Sequence, residues 1–232
     1  MTDYLFDTPD FPTIPVQGEA AGYPVVRIFC VGRNYAAHAA EMGVDVDREA
    51  PFYFSKNPMH TLASGSTVKY PPQTENYHYE MELALVIGKP VFRATAAEAE
   101  AAIYAYGCAL DMTRRDLQLV ARAKQRPWDL GKDFEDSAVF AELTKAADFA
   151  PIGPQRIHLE VNGETKQDAH LSDLIHSCID VVVDLSKFYH LAPGDVIMTG
   201  TPAGVGPVVA GDKITGGIDG LAPISLTIGA AE

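Results

Sequence analysis

YHYEMELALVIG, residues Tyr77 to Gly88, places two glutamates two positions apart and then continues into an apolar run. The aliphatic and β-branched residues up to Ile87 favour a β-strand. Residues two apart on a strand point to the same face of the sheet, so Glu80 and Glu82 share a face. Two carboxylates that close repel one another, and burying either without a partner is expensive. We therefore expect either a solvated face or a positive group between the two side chains.

A metal ion is one candidate for that positive group. A Glu-X-Glu pair is usually two exposed acids, because glutamate is seldom buried unpaired. Here the next residues of the same face, Ala84 and Val86, are apolar, which indicates the mouth of a cleft. The segment CALDMT reads as a strand that ends at Asp111, which offers a third carboxylate. An all-oxygen set without a nearby histidine or cysteine is typical of Mg²⁺, Mn²⁺ or Ca²⁺ rather than zinc or copper.

The composition is that of a soluble globular protein. The chain has 232 residues, of which 47% are hydrophobic and 21% charged, enough for one large domain or two small ones. The formal net charge of −13 argues against partners such as nucleic acid or an anionic membrane surface. Cys30, Cys108 and Cys178 are odd in number and far apart, so they predict neither a disulfide framework nor zinc. A reducing, cytoplasmic location is the expectation.

Two capping boxes predict helices on either side of the strand that ends at Asp111. Thr95 with Glu98 starts an alanine-rich helix over AAEAEAAIYAYG. Thr113 with Asp116 starts a second helix, which we expect to run to Pro127.

The rest of the chain is rich in predicted strands. Asn162-Gly163 lies between two alternating segments, as in a hairpin with a two-residue turn, and the C-terminal third is strands separated by glycine turns. There is no repeat of 20–50 residues and no Gly/Ser-rich linker. We therefore predict an α+β fold with a β-rich core, in which an extended arm (residues 1–20) precedes a single catalytic domain (residues 21–232).

His38 and Glu41, in GRNYAAHAAEMG, are candidates for a general base. Residues three apart on a helix can meet, and a glutamate bonded to one imidazole nitrogen raises the basicity of the other. Taken alone, the pair is more often a surface ion pair. Gly32 and Gly43 at the two ends favour a segment that moves as a lid.

Several further polar residues are candidates for binding an anion. Arg115 and Gln118 lie one helical turn apart, and an arginine can clamp a carboxylate with two hydrogen bonds. Lys56 lies in an aromatic strand, FYFSKNP, and Lys132 follows a glycine in an acidic loop. Thr201 lies in MTGTPAGVG, which lacks the lysine and spacing of a nucleotide-binding loop and reads instead as a tight turn that faces an anion.

Five segments in this order resemble the fumarylacetoacetate hydrolase family from about Val25 to the C-terminus: GRNYAAHAAEMG, YHYEMELALVIGKP, GCALDMTRRDLQ, PWDLGKDF and DVIMTGTPAGVG. The resemblance implies a mixed β-roll core with peripheral helices, a homodimer and bound Mg²⁺ or Mn²⁺. It also implies roles for the residues that match the family's motifs: metal ligands Glu80, Glu82 and Asp111; a water-activating dyad His38 and Glu41; a catalytic lysine Lys132; and substrate contacts Arg115, Gln118 and Thr201.

The chain is most similar to the compact branch of that family, whose members cleave acylpyruvates, decarboxylate oxaloacetate or isomerise related acids. The N-terminal arm running into RIFCVGRNYAAHA most resembles members that hydrolyse fumarylpyruvate, so the expected substrate is a dicarboxylic dioxo acid. Lys56 and, at the cleft rim, Arg33 are then expected to meet substrate carboxylates. Oxaloacetate decarboxylation, acetylpyruvate hydrolysis, isomerisation and a non-catalytic metal-binding module remain open as alternatives.

Overall fold

The computed structural model describes residues 5–43 and 50–231 and folds them mainly into β-strands. The α-helices within these residues are α1 Ala36–Glu41, α2 Ala96–Ala102, α3 Arg115–Ala123, α4 Asp129–Lys132 and α5 Cys178–Leu185. The strands of the first half are β1 Thr13–Ile14, β2 Tyr23–Pro24, β3 Arg27–Gly32, β4 Phe52–Lys56, β5 Thr61–Ala63, β6 Thr67–Tyr70, β7 Tyr77–Tyr79, β8 Met81–Ile87 and β9 Ile103–Asp111. Those of the second half are β10 Thr113–Arg114, β11 Ala138–Phe140, β12 Thr144–Lys145, β13 Arg156–Val161, β14 Glu164–His170, β15 Asp195–Met198, β16 Gly206–Val208, β17 Lys213–Ile218 and β18 Ile224–Ala231.

The strands form mixed sheets. The largest has the order β4-β3-β15-β8-β9-β11-β5, with β12 beside β9, and a second has the order β14-β13-β17-β18-β6. A small third sheet, β10-β7-β16, lies next to the start of β8. Strands β15 and β3, β11 and β5, and β18 and β6 pair in parallel, whereas the other strand pairs are antiparallel. This arrangement confirms the predicted β-rich α+β fold.

Strand β8 is apolar along its length because both of its faces are buried. Leu83, Leu85 and Ile87 pack into the larger hydrophobic core, whereas Ala84 and Val86 pack into a second core on the opposite face. Burial on both faces removes the polar alternation of a half-exposed strand. Polar side chains therefore remain only at the N-terminal end of this strand, where the two glutamates lie.

The register of β8 against β9 brings the third acidic residue to the same end. Glu82 lies opposite Ala109, and the backbone N–H of Asp111 donates to the carbonyl oxygen of Glu80 at 2.9 Å. Since the two strands are antiparallel, the end of β9 meets the start of β8. Residues 31 positions apart in the chain thus share one corner of the sheet.

The first capping box is confirmed and the second is wrong. The Thr95 hydroxyl and the Glu98 carboxylate both bond the opposing backbone N–H groups, although α2 ends at Ala102, where β9 takes over. Thr113 lies instead in the short strand β10, and α3 begins at Arg115 with no side-chain cap. The Thr113 hydroxyl is used elsewhere, because it donates to the Asp111 carbonyl oxygen at 3.1 Å.

The hairpin prediction is confirmed, since Asn162 and Gly163 join β13 to β14 and have positive φ angles of 53° and 82°. The boundary predicted at residue 20 stays a prediction, and residues 1–4 of the arm lie outside the described residues. Within the arm, Ile14 and Val16 are buried in the second core.

Candidate metal centre and active site

Three buried carboxylates lie together at the corner formed by β8 and β9. Glu80, Glu82 and Asp111 each offer an oxygen within 4.8 Å of the other two, and none of the three residues is more than 4% exposed. Asp111 Oδ1 is buried and meets Lys56 Nζ at 2.9 Å as an ion pair without hydrogen-bond geometry. Hard carboxylate oxygens at this spacing fit a divalent cation. These side chains therefore form a site for a divalent metal ion, and the alternative of a solvated strand face is wrong.

Positive side chains surround this acidic cluster. Lys132 Nζ donates to Glu80 Oε2 at 2.7 Å, to Asp111 Oδ2 at 2.6 Å and to the Thr113 hydroxyl at 2.8 Å. These three bonds use all three donors of the ammonium group. Arg115 Nη2 donates to the other oxygen of Glu80. The chain itself thus supplies positive charge beside Glu80 and Asp111.

Lys56 is a further cation in contact with the acidic cluster. Its side chain is fully buried, and its Nζ lies 2.9 Å from Asp111 Oδ1 and donates to the Met112 carbonyl oxygen at 3.2 Å and to that of Lys132. The structure thus places Lys56 against the ligand strand and not in the lining of the pocket. Its predicted contact with substrate stays a prediction.

The two glutamates differ in their electrostatic surroundings. Burial alone would raise the pKa of Glu80, but the charges of Lys132 and Arg115 outweigh it and hold that pKa far below the usual range. For Glu82, burial, followed by repulsion from Asp111 and Glu80, raises the pKa well above its usual range. Glu82 is therefore the carboxylate whose charge is least compensated by the protein.

A backbone N–H group meets Glu82 from the turn after β15. Gly200 N donates to Glu82 Oε2 at 2.7 Å. Gly200 has φ of 100°, and a Cβ at this position would lie 2.8 Å from the Cβ of Asn34. Only glycine combines this backbone conformation with so close an approach, which explains the glycine of the TGTP segment.

His38 faces the pocket that the carboxylates line. It is 7% exposed, and its Nδ1 lies 3.1 Å from Glu41 Oε2, so that Nε2 is the ring nitrogen left for another partner. Glu41 also accepts the backbone N–H of Gly204 at 3.1 Å. The predicted dyad is thus formed, and it is attached to the turn that follows β15.

One face of α3 supplies three polar side chains to the pocket. Arg115, Gln118 and Arg122 are spaced at i, i+3 and i+7, which places them on the same side of a helix. Arg115 Nη1 donates to Gln118 Oε1, which orients both groups. Helix α4 packs closely against this helix, since a Cβ at Gly131 would lie 2.7 Å from Gln118 N.

A buried glutamine from the hairpin links the metal strand to Thr201. Gln167, which is 0% exposed, accepts the Met81 N–H at 2.9 Å and donates to the Thr201 hydroxyl and the Pro202 carbonyl oxygen, both at 2.8 Å. Met81 lies between the two glutamates. Gln167 therefore fixes the distance between these ligands and the threonine that lines the pocket.

The structure brings most of the predicted residues together. One pocket is lined by Arg33, His38, Glu80, Glu82, Asp111, Arg115, Gln118, Lys132 and Thr201, and Glu41 lies directly behind His38. Their chemical roles remain predictions.

Sequence reasoning missed three contributors. Arg122 could have been found from its position four residues after Gln118 on the same helix. Gln167 could not, because its partners are distant in the chain, and the predicted anion-facing turn did not identify Glu82 as the partner of the Gly200 backbone. Among the described residues, no helix is long and apolar enough to cross a lipid bilayer.

Two known proteins are similar to this chain in sequence over most of its length. A fumarylpyruvate hydrolase of Ralstonia sp. is 55% identical over 193 residues, which cover 82% of this chain and 100% of that protein. An oxaloacetate tautomerase of Escherichia coli (strain K12) is 39% identical over 206 residues, covering 88% of this chain and 93% of that protein.

One solved crystal structure has the same fold over nearly the whole chain. The crystal structure of fumarylpyruvate hydrolase from Pseudomonas aeruginosa in complex with Mn²⁺ and pyruvate has a TM-score of 0.95 and 42% identity, and the match covers 98% of this chain and 100% of that one. Residues 27–228 match the family described as Fumarylacetoacetate (FAA) hydrolase C-terminal. The chain therefore belongs to the fumarylacetoacetate hydrolase family.

Proposed function

We propose that this protein is a divalent-metal-dependent fumarylpyruvate hydrolase, which cleaves the C3–C4 bond of its substrate to give fumarate and pyruvate. The observation that carries the proposal is that the three carboxylates and the His38 imidazole line one pocket. The 55% identity to the Ralstonia enzyme supports the same reaction.

The carboxylates are the residues that would hold the metal. When bound there, a divalent ion supplies Lewis acidity to the 2-oxo acid end of the substrate, where negative charge develops as the carbon–carbon bond breaks. Mg²⁺ and Mn²⁺ both suit three hard oxygen ligands, and we propose Mg²⁺ as the ion used, with Mn²⁺ able to replace it.

We propose that His38 acts as the general base. Glu41 accepts a hydrogen bond from Nδ1–H, so Nε2 carries the lone pair that removes a proton from water. The resulting hydroxide attacks the C4 carbonyl carbon, and the C3–C4 bond then breaks to expel the enolate of pyruvate. Protonation of that enolate at C3 completes the products.

The cationic side chains position the reactants. Lys132 and Arg115 hold Glu80 in its ionised form and fix its orientation. We propose that Arg115 and Gln118 contact the substrate near the metal, and that Thr201 contacts it from the opposite turn. Lys132 and Arg115 supply the local positive field that attracts an anionic substrate despite a net charge of −13.

A direct assay tests the function. The purified protein, freed of metal and then given Mg²⁺ or Mn²⁺, is incubated with fumarylpyruvate while the dioxo-acid absorbance is followed. Equal amounts of fumarate and pyruvate, formed only when metal is present, are the expected result. Absence of turnover with either metal would overturn the proposal.

His38→Ala separates the base from the metal site. We expect this change to lower kcat by about 10²–10⁴-fold, the usual contribution of a general base. Binding of Mn²⁺, measured by calorimetry, should stay at the wild-type level because His38 is not a ligand. Loss of Mn²⁺ affinity together with kcat would show that the dyad assignment is wrong.

Oxaloacetate chemistry is the second candidate, because the Escherichia coli relative is an oxaloacetate tautomerase. Tautomerisation and decarboxylation both use an enolate but need no attacking water. Incubation with oxaloacetate distinguishes them, since decarboxylation releases CO₂ and tautomerisation changes only the enol content. A kcat/KM for oxaloacetate above that for fumarylpyruvate would favour this second function.

We also propose, from the family resemblance, that the protein is a cytoplasmic homodimer. Light scattering of the purified protein would test the dimer, and a single species with the mass of one chain would contradict it.

A further inference from the structure

Two arginines at the pocket rim are not engaged by the acidic cluster. The described residues contribute four arginine and lysine side chains to the lining of this pocket: Arg33, Arg115, Arg122 and Lys132. Arg115 and Lys132 pair with the carboxylates of the cluster. Within residues 5–43 and 50–231, neither Arg33 nor Arg122 has a carboxylate within 4.0 Å. Their charges are therefore available to an anion in the pocket.

Arg33 and Arg122 line the same pocket, and each has a contact that fixes its position. Arg122 Nη1 donates to the Met42 carbonyl oxygen at 3.3 Å, and the guanidinium of Arg33 lies 5.1 Å from the centre of the Phe52 ring. Partial burial, followed by the nearby charge of Arg122, lowers the pKa of Arg33. Two cations that repel in this way favour an anion placed between them.

Arg122 also shares its helix face with groups that serve the metal end of the pocket. Because Arg115 precedes it by two turns and Gln118 by one, α3 runs from the acidic cluster towards the rim. A substrate anchored beside Arg115 would extend along this face. Its far end would then meet the arginine of the last turn.

We propose that Arg122, together with Arg33, binds the second carboxylate of a dicarboxylic dioxo acid and makes the site selective for such substrates over monocarboxylic acylpyruvates. This inference rests on the proposed function, since it concerns the same reaction. Guanidinium groups suit the role because they donate two parallel hydrogen bonds to a carboxylate. In an acylpyruvate that lacks the second carboxylate, the N–H donors of the two guanidinium groups have no substrate partner.

The test compares two substrates, fumarylpyruvate and acetylpyruvate, with the wild type, Arg122→Gln and Arg122→Lys. A lost hydrogen bond between charged groups corresponds to about 10- to 100-fold in binding. We therefore expect Arg122→Gln to lower kcat/KM for fumarylpyruvate by that factor, mainly through KM. The value for acetylpyruvate should stay the same, and Arg122→Lys should recover part of the loss.

Lys124→Gln is the matched control, because it removes one positive charge from an exposed position at the end of the same helix. It should leave both substrates unaffected. Equal losses on the two substrates in Arg122→Gln, or no loss on either, would overturn the proposed subsite. Thermal unfolding of each variant shows whether the fold is retained.

Binding of product-like acids keeps the subsite testable if the wild type cleaves neither dioxo acid. In that case the proposed function fails, and calorimetry with fumarate and crotonate decides the subsite, because crotonate has a methyl group where fumarate has its second carboxylate. Tighter binding of fumarate by the Mn²⁺-loaded wild type, with no such preference in Arg122→Gln, would support it. Equal binding of the two acids by the wild type would contradict it.

Discussion

At the scale of single residues, the site depends on Glu82, the carboxylate whose charge the protein compensates least. Glu80 is held ionised by two cations, whereas Glu82 accepts the Gly200 N–H and lies beside two other acids. A metal ion bound by ionised Glu82 must therefore compete with a proton. The ionised form of Glu82 is the form that binds a metal, but it destabilises the metal-free fold.

Glu82→Gln should make the metal-free protein more stable and abolish Mn²⁺ binding. The folded-state pKa of Glu82 lies above its unfolded value, so its ionisation destabilises the fold as pH rises above about 4.5. Each pKa unit of that shift corresponds to about 1.4 kcal/mol. The stability advantage of the variant should therefore be absent near pH 4 and grow towards pH 8.

Chemical unfolding in EDTA across this pH range measures the difference. Glu100→Gln, at an exposed position of α2, is the control and should show no such trend. A constant difference between Glu82→Gln and the wild type at all pH values would contradict the argument.

At the scale of elements, the close contact between α3 and α4 sets the geometry of the site. Helix α3 carries Arg115 and Gln118, and α4 ends at Lys132, so their separation fixes how these groups meet the acidic cluster. Gly131 allows that separation because it has no side chain. A four-residue helix cannot hold its place alone and depends on this packing.

Gly131→Ala should weaken both the fold and the metal site. The added Cβ would lie 2.7 Å from Gln118 N, which is backbone and cannot rotate away. We expect a loss of about 1–3 kcal/mol in the free energy of unfolding, as for other overpacked sites, and weaker Mn²⁺ binding as Lys132 moves. Gly153→Ala is the matched control, since its Cβ would have no atom nearer than 3.9 Å. Unchanged Mn²⁺ affinity in Gly131→Ala would show that α4 does not position the site.

The sequence predicts those elements whose determinants are local. The β8 strand, the Asn162-Gly163 hairpin and the Thr95 cap were predictable because their determinants lie within a few residues. The Thr113 cap was wrong because its hydroxyl bonds Lys132 and the Asp111 carbonyl instead.

The metal ligands of the site were predictable from the sequence, but the residues that hold them in place were not. The acidic residues stand out by their type and by the family's motifs. Lys56, Gln167 and Gly200 act through partners that are 34 to 118 positions away, which no local pattern encodes. Long-range pairing of strands, not propensity, brings them to the site.

At the scale of the whole molecule, the metal site joins segments from most of the chain. Glu82 lies on β8, Asp111 on β9, and Gly200 follows β15, and all of these strands belong to the largest sheet. An ion bound at their junction would therefore favour the folded state of the entire domain. Ligand binding to the folded state alone stabilises it by mass action.

Mn²⁺ should raise the melting temperature of the wild type by several degrees. At a free concentration 100-fold above Kd the gain is about 2.7 kcal/mol, which corresponds to about 5–11 °C for a chain of this size. Scanning calorimetry with and without Mn²⁺ measures the shift. Glu82→Gln should show none, and an equal shift in that variant would place the ion elsewhere.

The contact between Glu41 and Gly204 has a consequence for the timing of catalysis. A single carboxylate orients the imidazole of His38 and also anchors α1 to the turn after β15. Withdrawal of α1 would break the contact between Glu41 and Gly204 and would carry His38 and Glu41 together away from the acidic cluster. On the proposed mechanism, proton removal from water therefore requires α1 to be in place beside the pocket.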